Sequence, residues 1–170
     1  MTTDARPNLK PARTSVEYAL EAVSLIAVVA AVSIIGSSWG SLPERVSRHF
    51  GAAGTPDAFG SQGSILAPAA LSLGLYLLLS LVQLVPPRLY NYPVRISQGN
   101  ALAQYRLARK CLAAVKAAIC VLLALGTWLS VQVALGHREG LGAWFIPGVV
   151  LAVASPLVWY GLAASRERSA

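Results

Sequence analysis

Charge is what this sequence has least of. Only 12% of its 170 residues are Asp, Glu, Lys or Arg, about half the share found in soluble domains. That argues against an ordinary water-soluble fold. Histidine is also scarce, with two in the whole chain, so a metal centre needing three or four protein ligands has little to draw on. The two cysteines, Cys111 and Cys120, form no CxxC. Nine residues apart on one helix they face nearly opposite directions, which argues against an intramolecular disulfide and a quinone-linked disulfide-forming enzyme. Both read as small packing residues. No motif supplies a convergent nucleophile–base or metal set, so no enzyme activity and no cofactor are expected. No zinc-finger or other nucleic-acid motif accompanies the formal net charge of +7, so that charge does not point to DNA or RNA.

What is present is hydrocarbon. Four stretches contain no charged residue: Ala22–Pro43, Ala58–Pro87, Ala117–Gly136 and Gly140–Ser165. Each has enough apolar residues to cross a bilayer as a helix, which takes about 20. Spanning segments must satisfy their backbone internally, as helices or closed barrels. The runs lack the polar/apolar alternation of barrel strands, so the expected fold is all-α: a polytopic membrane protein with a bundle of four transmembrane helices. The expected organisation is a flexible N-tail over 1–14, a membrane domain over 15–165 with spans near 18–39, 64–85, 111–135 and 143–164, and a C-tail over 166–170. The first apolar run lies at the upper end of a signal-peptide core and more spans come after it, so it reads as a retained helix. Thr14 or Ser15 suits its N-cap, and Glu17 and Glu21 complement its dipole and the basic tail. Ser97 reads as the cap of a long third helix, and Pro156 as a kink in the fourth.

Basic residues divide the loops. Arg6, Lys10 and Arg13 precede the first span, Arg88, Arg95, Arg106, Arg109 and Lys110 come after the second, and Arg166 and Arg168 after the fourth. The other side carries Arg45, Arg48 and Arg138. The positive-inside rule then puts both termini in the cytoplasm of a cell membrane, with residues 39–63 and 137–142 outside. Arg95, Arg106, Arg109 and Lys110 form a candidate cytoplasmic contact for membrane lipids or a partner. Tyr18, Tyr90, Tyr92, Trp159 and Tyr160 fall near the inner interface, Trp39 and Trp144 near the outer one, and Trp128 at packing depth. Ala113, Ala117, Cys120 and Ala124, with Gly148 and Ala152, suggest close helix contacts. Gln83, Thr127, Ser130 and Gln132 suit interhelical hydrogen bonds. The helix centres read as free of ionisable groups, which disfavours a proton-coupled pump.

The first outer loop is the most informative segment. Ser41-Leu42-Pro43-Glu44 has capping-box spacing, and Leu42, Val46 and Phe50 recur at helical intervals. A short amphipathic helix over about 42–50 is therefore expected, stopped by Gly51, with turns at Gly54 and Pro56-Asp57 and a further apolar anchor at Phe59. His49 and Asp57 are its best polar pair. A metal site there would want more ligands, with His137 as an outside candidate, so Asp57 capping its own turn is favoured and no metal is expected.

These residues carry a resemblance. Leu42, Pro43, Arg45, Val46, His49, Phe50, Gly51, Gly54, Pro56, Asp57 and Gly60 are spaced like the LPxx[IV]PxHFxxxGxPDx[WFY]GSK signature of a bacterial membrane domain of unknown function found in SdpI-type toxin-immunity proteins. Ser47 and Gln62 stand where that signature has proline and lysine. Asn91-Tyr92-Pro93, Asn100 and Gln104-Tyr105-Arg106 are similar to the segment after the second span in that group. The resemblance implies a bacterial interaction protein that intercepts a peptide toxin or relays its presence, with Leu42, Pro43, Arg45, His49, Phe50, Gly54, Pro56, Asp57 and Gly60 as candidate contacts. The alternatives are a transport or channel subunit, or an accessory subunit of a larger membrane complex. The sequence leaves the oligomeric state open.

Overall fold

The computed structural model describes residues 6–167. Of the expected tails, residues 1–5 and 168–170, Arg168 among them, lie outside the described residues. Four long helices form the body: α1 (Ser15–Ser38), α2 (Leu66–Val82), α3 (Ala101–Ala134) and α4 (Phe145–Arg166). All four are long and apolar enough to cross a membrane, and the chain is an all-α four-helix membrane protein. Thr14 caps α1: its hydroxyl accepts from the Glu17 N–H, and Glu17 Oε2 accepts from the Thr14 N–H at 2.8 Å. Leu135 and Gly136 close α3, Gly136 at φ +75°, the left-handed conformation that glycine adopts without a Cβ penalty.

α3 is the hub. It packs against α1, α2 and α4, and α4 packs chiefly on α3. Small residues allow this: Ala113, Ala117, Cys120 and Ala124 of α3 are buried, with Ser24, Ala27 and Ala31 of α1 in the same core. Without a hydrophobic force between helices in lipid, such close approach is what holds them together. Gly148 and Ala152 of α4 are only half-buried. At 34 residues α3 is about 51 Å long, against a hydrocarbon core of about 30 Å. Its first half therefore extends beyond the lipid core.

One end of the bundle gathers the N-terminal segment, the 83–100 loop, the start of α3 and the end of α4. Arg6 donates to the carbonyls of Arg88 and Tyr90, Tyr105 Oη donates to Pro7 O at 3.0 Å, and Gln104 Nε2 donates to Ala164 O at 3.0 Å. Residues 6–14 are thus fixed against the bundle, where a flexible tail was expected. The reason is that this extended segment offers free carbonyls, at Pro7 and Pro11, which side chains of α3 reach.

The opposite end departs most from expectation. Residues 45–50 form no helix. They form β1 (Arg45–Phe50), antiparallel to β2 (Pro56–Ser61), with a register irregularity around His49. The Ser41–Glu44 capping signal is local, whereas the strand is set by a partner: β2 pairs with it, and Val46 and Leu42 enter the bundle core. A two-stranded hairpin is marginal alone, so its docking matters. The turn at Gly54 sits against the α3–α4 loop, where the Leu141 N–H donates to Gly54 O at 2.8 Å. A Cβ on Gly54 would lie 2.6 Å from Gly142 O, and Gly54 has φ +75°. Trp128 also differs from expectation: it is 40% exposed, with the Arg138 guanidinium over its ring.

Gly54→Ala combines left-handed backbone strain, about 1–2 kcal/mol, with that steric conflict. It should lower the unfolding midpoint in detergent and expose the 51–55 turn to protease. An unchanged midpoint and cleavage pattern would show that the hairpin does not depend on this docking.

Candidate functional site

Two clusters concentrate the polar chemistry. The first is the hairpin. His49 Nδ1 and Asp57 Oδ1 face each other at 2.6 Å across the strands, both exposed. His137 does not join them: its Nδ1 is paired with Gln132 Oε1 at 3.0 Å. Among the described residues no three His, Cys, Asp or Glu side chains converge on a metal-sized site. The Arg45 guanidinium lies 5.8 Å from the Phe59 ring centroid, so Phe59 covers an arginine on the surface and does not anchor the loop. Leu42 is buried, Pro43 is exposed, and Pro56 pairs with Phe50 at the turn end of the ladder. Gly60 faces the Ser64 and Arg48 side chains, which a Cβ there would displace.

β1 and the helices enclose a cavity of about 320 Å³. Ser47, Arg48, His49 and Phe50 form one side. Ile65 and Pro68 before and within α2, Leu122 and Gly126 of α3, and Phe145 and Ile146 of α4 form an apolar floor. Arg48 is exposed and has no acidic partner among the described residues. Of the candidate contact residues in the loop, His49, Phe50 and Gly54 reach this cavity, while Pro43, Arg45 and Asp57 do not line it.

The second cluster was not legible as a unit in the sequence. Lys116 of α3 is fully buried, and its Nζ lies 2.6 Å from Glu21 Oε2 of α1. It also donates to Ser80 Oγ of α2 at 3.1 Å and sits 4.9 Å from the Tyr76 ring centroid, while Tyr76 Oη donates to Glu21 Oε1 at 2.9 Å. Three helices thus meet at one ammonium group. The pair lies at the head of the spans and leaves their centres free of charge: Lys116 stands immediately before the charge-free run Ala117–Gly136 and Glu21 immediately before Ala22–Pro43. α1 and α3 both run away from the end that carries the N-terminal segment, so the pair marks the level at which hydrocarbon begins. The signal available in the sequence was a lysine at the head of an apolar run and a glutamate at the head of another.

One to two turns further out, Arg109 Nη2 pairs with Glu17 Oε1 at 3.0 Å, and Arg109 Nη1 donates to Pro11 O. Glu17 and Glu21 therefore bind named cations as well as facing a helix dipole. Of the expected cytoplasmic contact residues, Arg109 is committed to this pair, Lys110 is half-buried, and Arg95 and Arg106 are exposed. Tyr92, beside them, donates to Pro87 O at 2.7 Å; burial holds its phenol well above the ordinary range, so it stays protonated. Two of the residues expected to bond between helices do not: Thr127 Oγ1 donates to Leu123 O of its own helix, and Gln83 Nε2 has no partner among the described residues.

Comparison with protein families gives one match. Residues 25–73 match the family described as "Domain of unknown function (DUF1648)". The matched segment covers most of α1, the hairpin and the first half of α2, and it supports an uncharacterised membrane-type domain. No curated protein and no solved structure matches the chain.

Breaking the buried pair from one side should cost more than removing both charges. Lys116→Met alone should destabilise by about 1–3 kcal/mol, less than the roughly 3–5 kcal/mol for a fully buried pair because Glu21 keeps 27% of its side chain exposed. Adding Glu21→Gln should recover much of that. A denaturant titration in detergent in which the two losses simply add would contradict the coupling.

Proposed function

We propose that this protein is an interaction protein of a bacterial cell membrane, related in role to SdpI-type immunity or signalling proteins. In this reading the hairpin faces outside, both termini face the cytoplasm, and the hairpin cavity receives a segment of a peptide toxin or another membrane protein. The observation that carries the reading is the cavity between β1 and the α3–α4 end: Arg48 and His49 at its rim, Leu122, Phe145 and Ile146 beneath. A polar rim over an apolar floor matches an amphipathic peptide, which presents both kinds of surface. The resemblance of the 42–60 segment to the immunity-protein signature supports the same direction. The reading assigns no catalytic step. A transport role finds less support, because Lys116 and Glu21 pair with each other at the hydrocarbon edge and the runs beyond them carry no charge.

Cells producing the protein should tolerate at least one membrane-active peptide toxin better than cells lacking it. Arg48→Glu with His49→Ala, two exposed positions that leave the core intact, should lose that protection by about tenfold in inhibitory concentration at unchanged protein level. Equal sensitivity of producing and non-producing cells across a panel of such peptides would overturn the reading.

A further inference from the structure

A separate cavity of about 300 Å³ opens at the end of the bundle that carries the N-terminal segment. It is lined by Lys10, Arg13 and Arg109 together with Gln83, Leu84, Val85 and the Pro86–Pro87 pair. Three features make it unlike an ordinary basic surface. First, its charge is unbalanced. The cations around it are Lys10, Arg13, Arg109 and, one layer deeper, Lys116. The carboxylates facing them are Glu17, taken up by Arg109, and Glu21, taken up by Lys116 and within electrostatic reach of Arg13. Four cations meet two carboxylates, and Lys10 and Arg13 have no acidic partner within ion-pair distance among the described residues. Second, a polar group is left over: Gln83, which lines the cavity, has a buried amide nitrogen with no hydrogen-bond partner among the described residues. A buried donor without a partner is costly and calls for one. Third, its level in the bilayer is fixed. Gln83 lies three residues beyond Ser80 and Arg109 seven before Lys116, and Ser80 and Lys116 belong to the cluster at the hydrocarbon edge. At about 1.5 Å per helical residue the cavity sits about 5–10 Å outside that edge, the depth of lipid headgroups.

The wall below it is apolar and open. Leu77, Leu78, Leu81 and Leu84 are each more than half exposed and lead from the hydrocarbon up to the cavity mouth. An occupant with a negative head and acyl chains satisfies all of these features at once: the phosphate meets Lys10 and Arg13, whose donors suit phosphate oxygens, and the chains lie along the leucines. A free phosphate would meet the charges but leave the leucine track without a role.

The geometry points to a site for one anionic phospholipid per chain, its phosphate held between Lys10, Arg13 and Gln83 and its acyl chains along the exposed edge of α2. The headgroup phosphate fills the two uncompensated positive charges, and Arg109 acts by holding Glu17 away from it. The site uses Lys10 and Arg13 of the N-terminal segment, which hydrogen bonds through Arg6, Pro7 and Pro11 already hold against the bundle. This inference does not depend on which face of the membrane the hairpin occupies.

Native mass spectrometry of the full chain, released from nanodiscs of phosphatidylglycerol and phosphatidylcholine in equal parts, tests this. The expected result is one retained phosphatidylglycerol per chain in preference to phosphatidylcholine. Lys10→Gln with Arg13→Gln should cut that retention by tenfold or more, since each basic residue at a membrane surface contributes about 1 kcal/mol. Arg106→Gln with Arg166→Gln removes the same charge from exposed positions at the same end and should leave retention unchanged. Equal loss in both double variants would mean diffuse attraction and would overturn the site. So would retention of phosphatidylcholine as strongly as phosphatidylglycerol, or displacement of the lipid by millimolar inorganic phosphate, which would mark a free-anion site. All four positions are exposed, and an unchanged unfolding midpoint confirms that the variants fold.

Discussion

The Lys116–Glu21 pair fixes the depth of everything else. A lysine with no exposed surface must be paired in the membrane or carry a heavy solvation cost. Here it is held by a carboxylate, a hydroxyl and an aromatic face from two neighbouring helices. Because Glu21 of α1 and Tyr76 and Ser80 of α2 meet at Lys116 of α3, the cluster sets the relative height of α1, α2 and α3 more sharply than alanine packing can. Small residues let helices approach, but they allow sliding; a charge-assisted contact at 2.6 Å does not. The charge-free run that begins at Ala117 is 20 residues long, about 30 Å of helix, which is the thickness of the lipid core.

From that level the two ends of the molecule acquire different characters. Outside the hydrocarbon edge, the N-terminal segment, the 83–100 loop and the first half of α3 are tied by side-chain bonds to main-chain carbonyls. This is a polar, basic region. At the far end the loop is organised by glycine: the Gly54 turn lies directly on the Gly140–Gly142 backbone. The hairpin is therefore held over the ends of α3 and α4 and roofs a cavity whose floor is hydrocarbon-like. Polar rim and apolar floor belong together only because this docking holds them.

Much of this was written in the sequence, and the parts that were not share a physical reason. Four helices result from charge-free length, which is a property of each segment alone. The Thr14–Glu17 cap and the small buried face of α3 are also local, and both could be read from spacing. The 42–50 segment was misjudged because its capping-box residues and its i, i+4 apolar spacing are local signals, whereas its strand is decided by pairing with β2 and by docking on a loop more than eighty residues away. His49 and Asp57 stand out in the loop sequence, but their direct contact across the strands does not, because local turn chemistry favours Asp57 capping its own turn. Lys116 was hidden by its position one residue outside an apolar run, since only the folded arrangement shows that Glu21, Tyr76 and Ser80 arrive around it. The order of residues 6–14 was missed for a related reason: proline-rich polar segments look free until their carbonyls find donors such as Tyr105 and Arg109.

The central claim is that the bundle crosses the bilayer with the chain's first residues and the hairpin on opposite faces. Single cysteines placed at Ala12 and at Ala53, in a chain with Cys111 and Cys120 replaced by alanine, report on it when intact cells are treated with a membrane-impermeant thiol reagent. The expected result is labelling at position 53 from outside and labelling at position 12 only after the membrane is opened. Labelling of both positions from the same face of intact cells would contradict the arrangement on which every other conclusion rests.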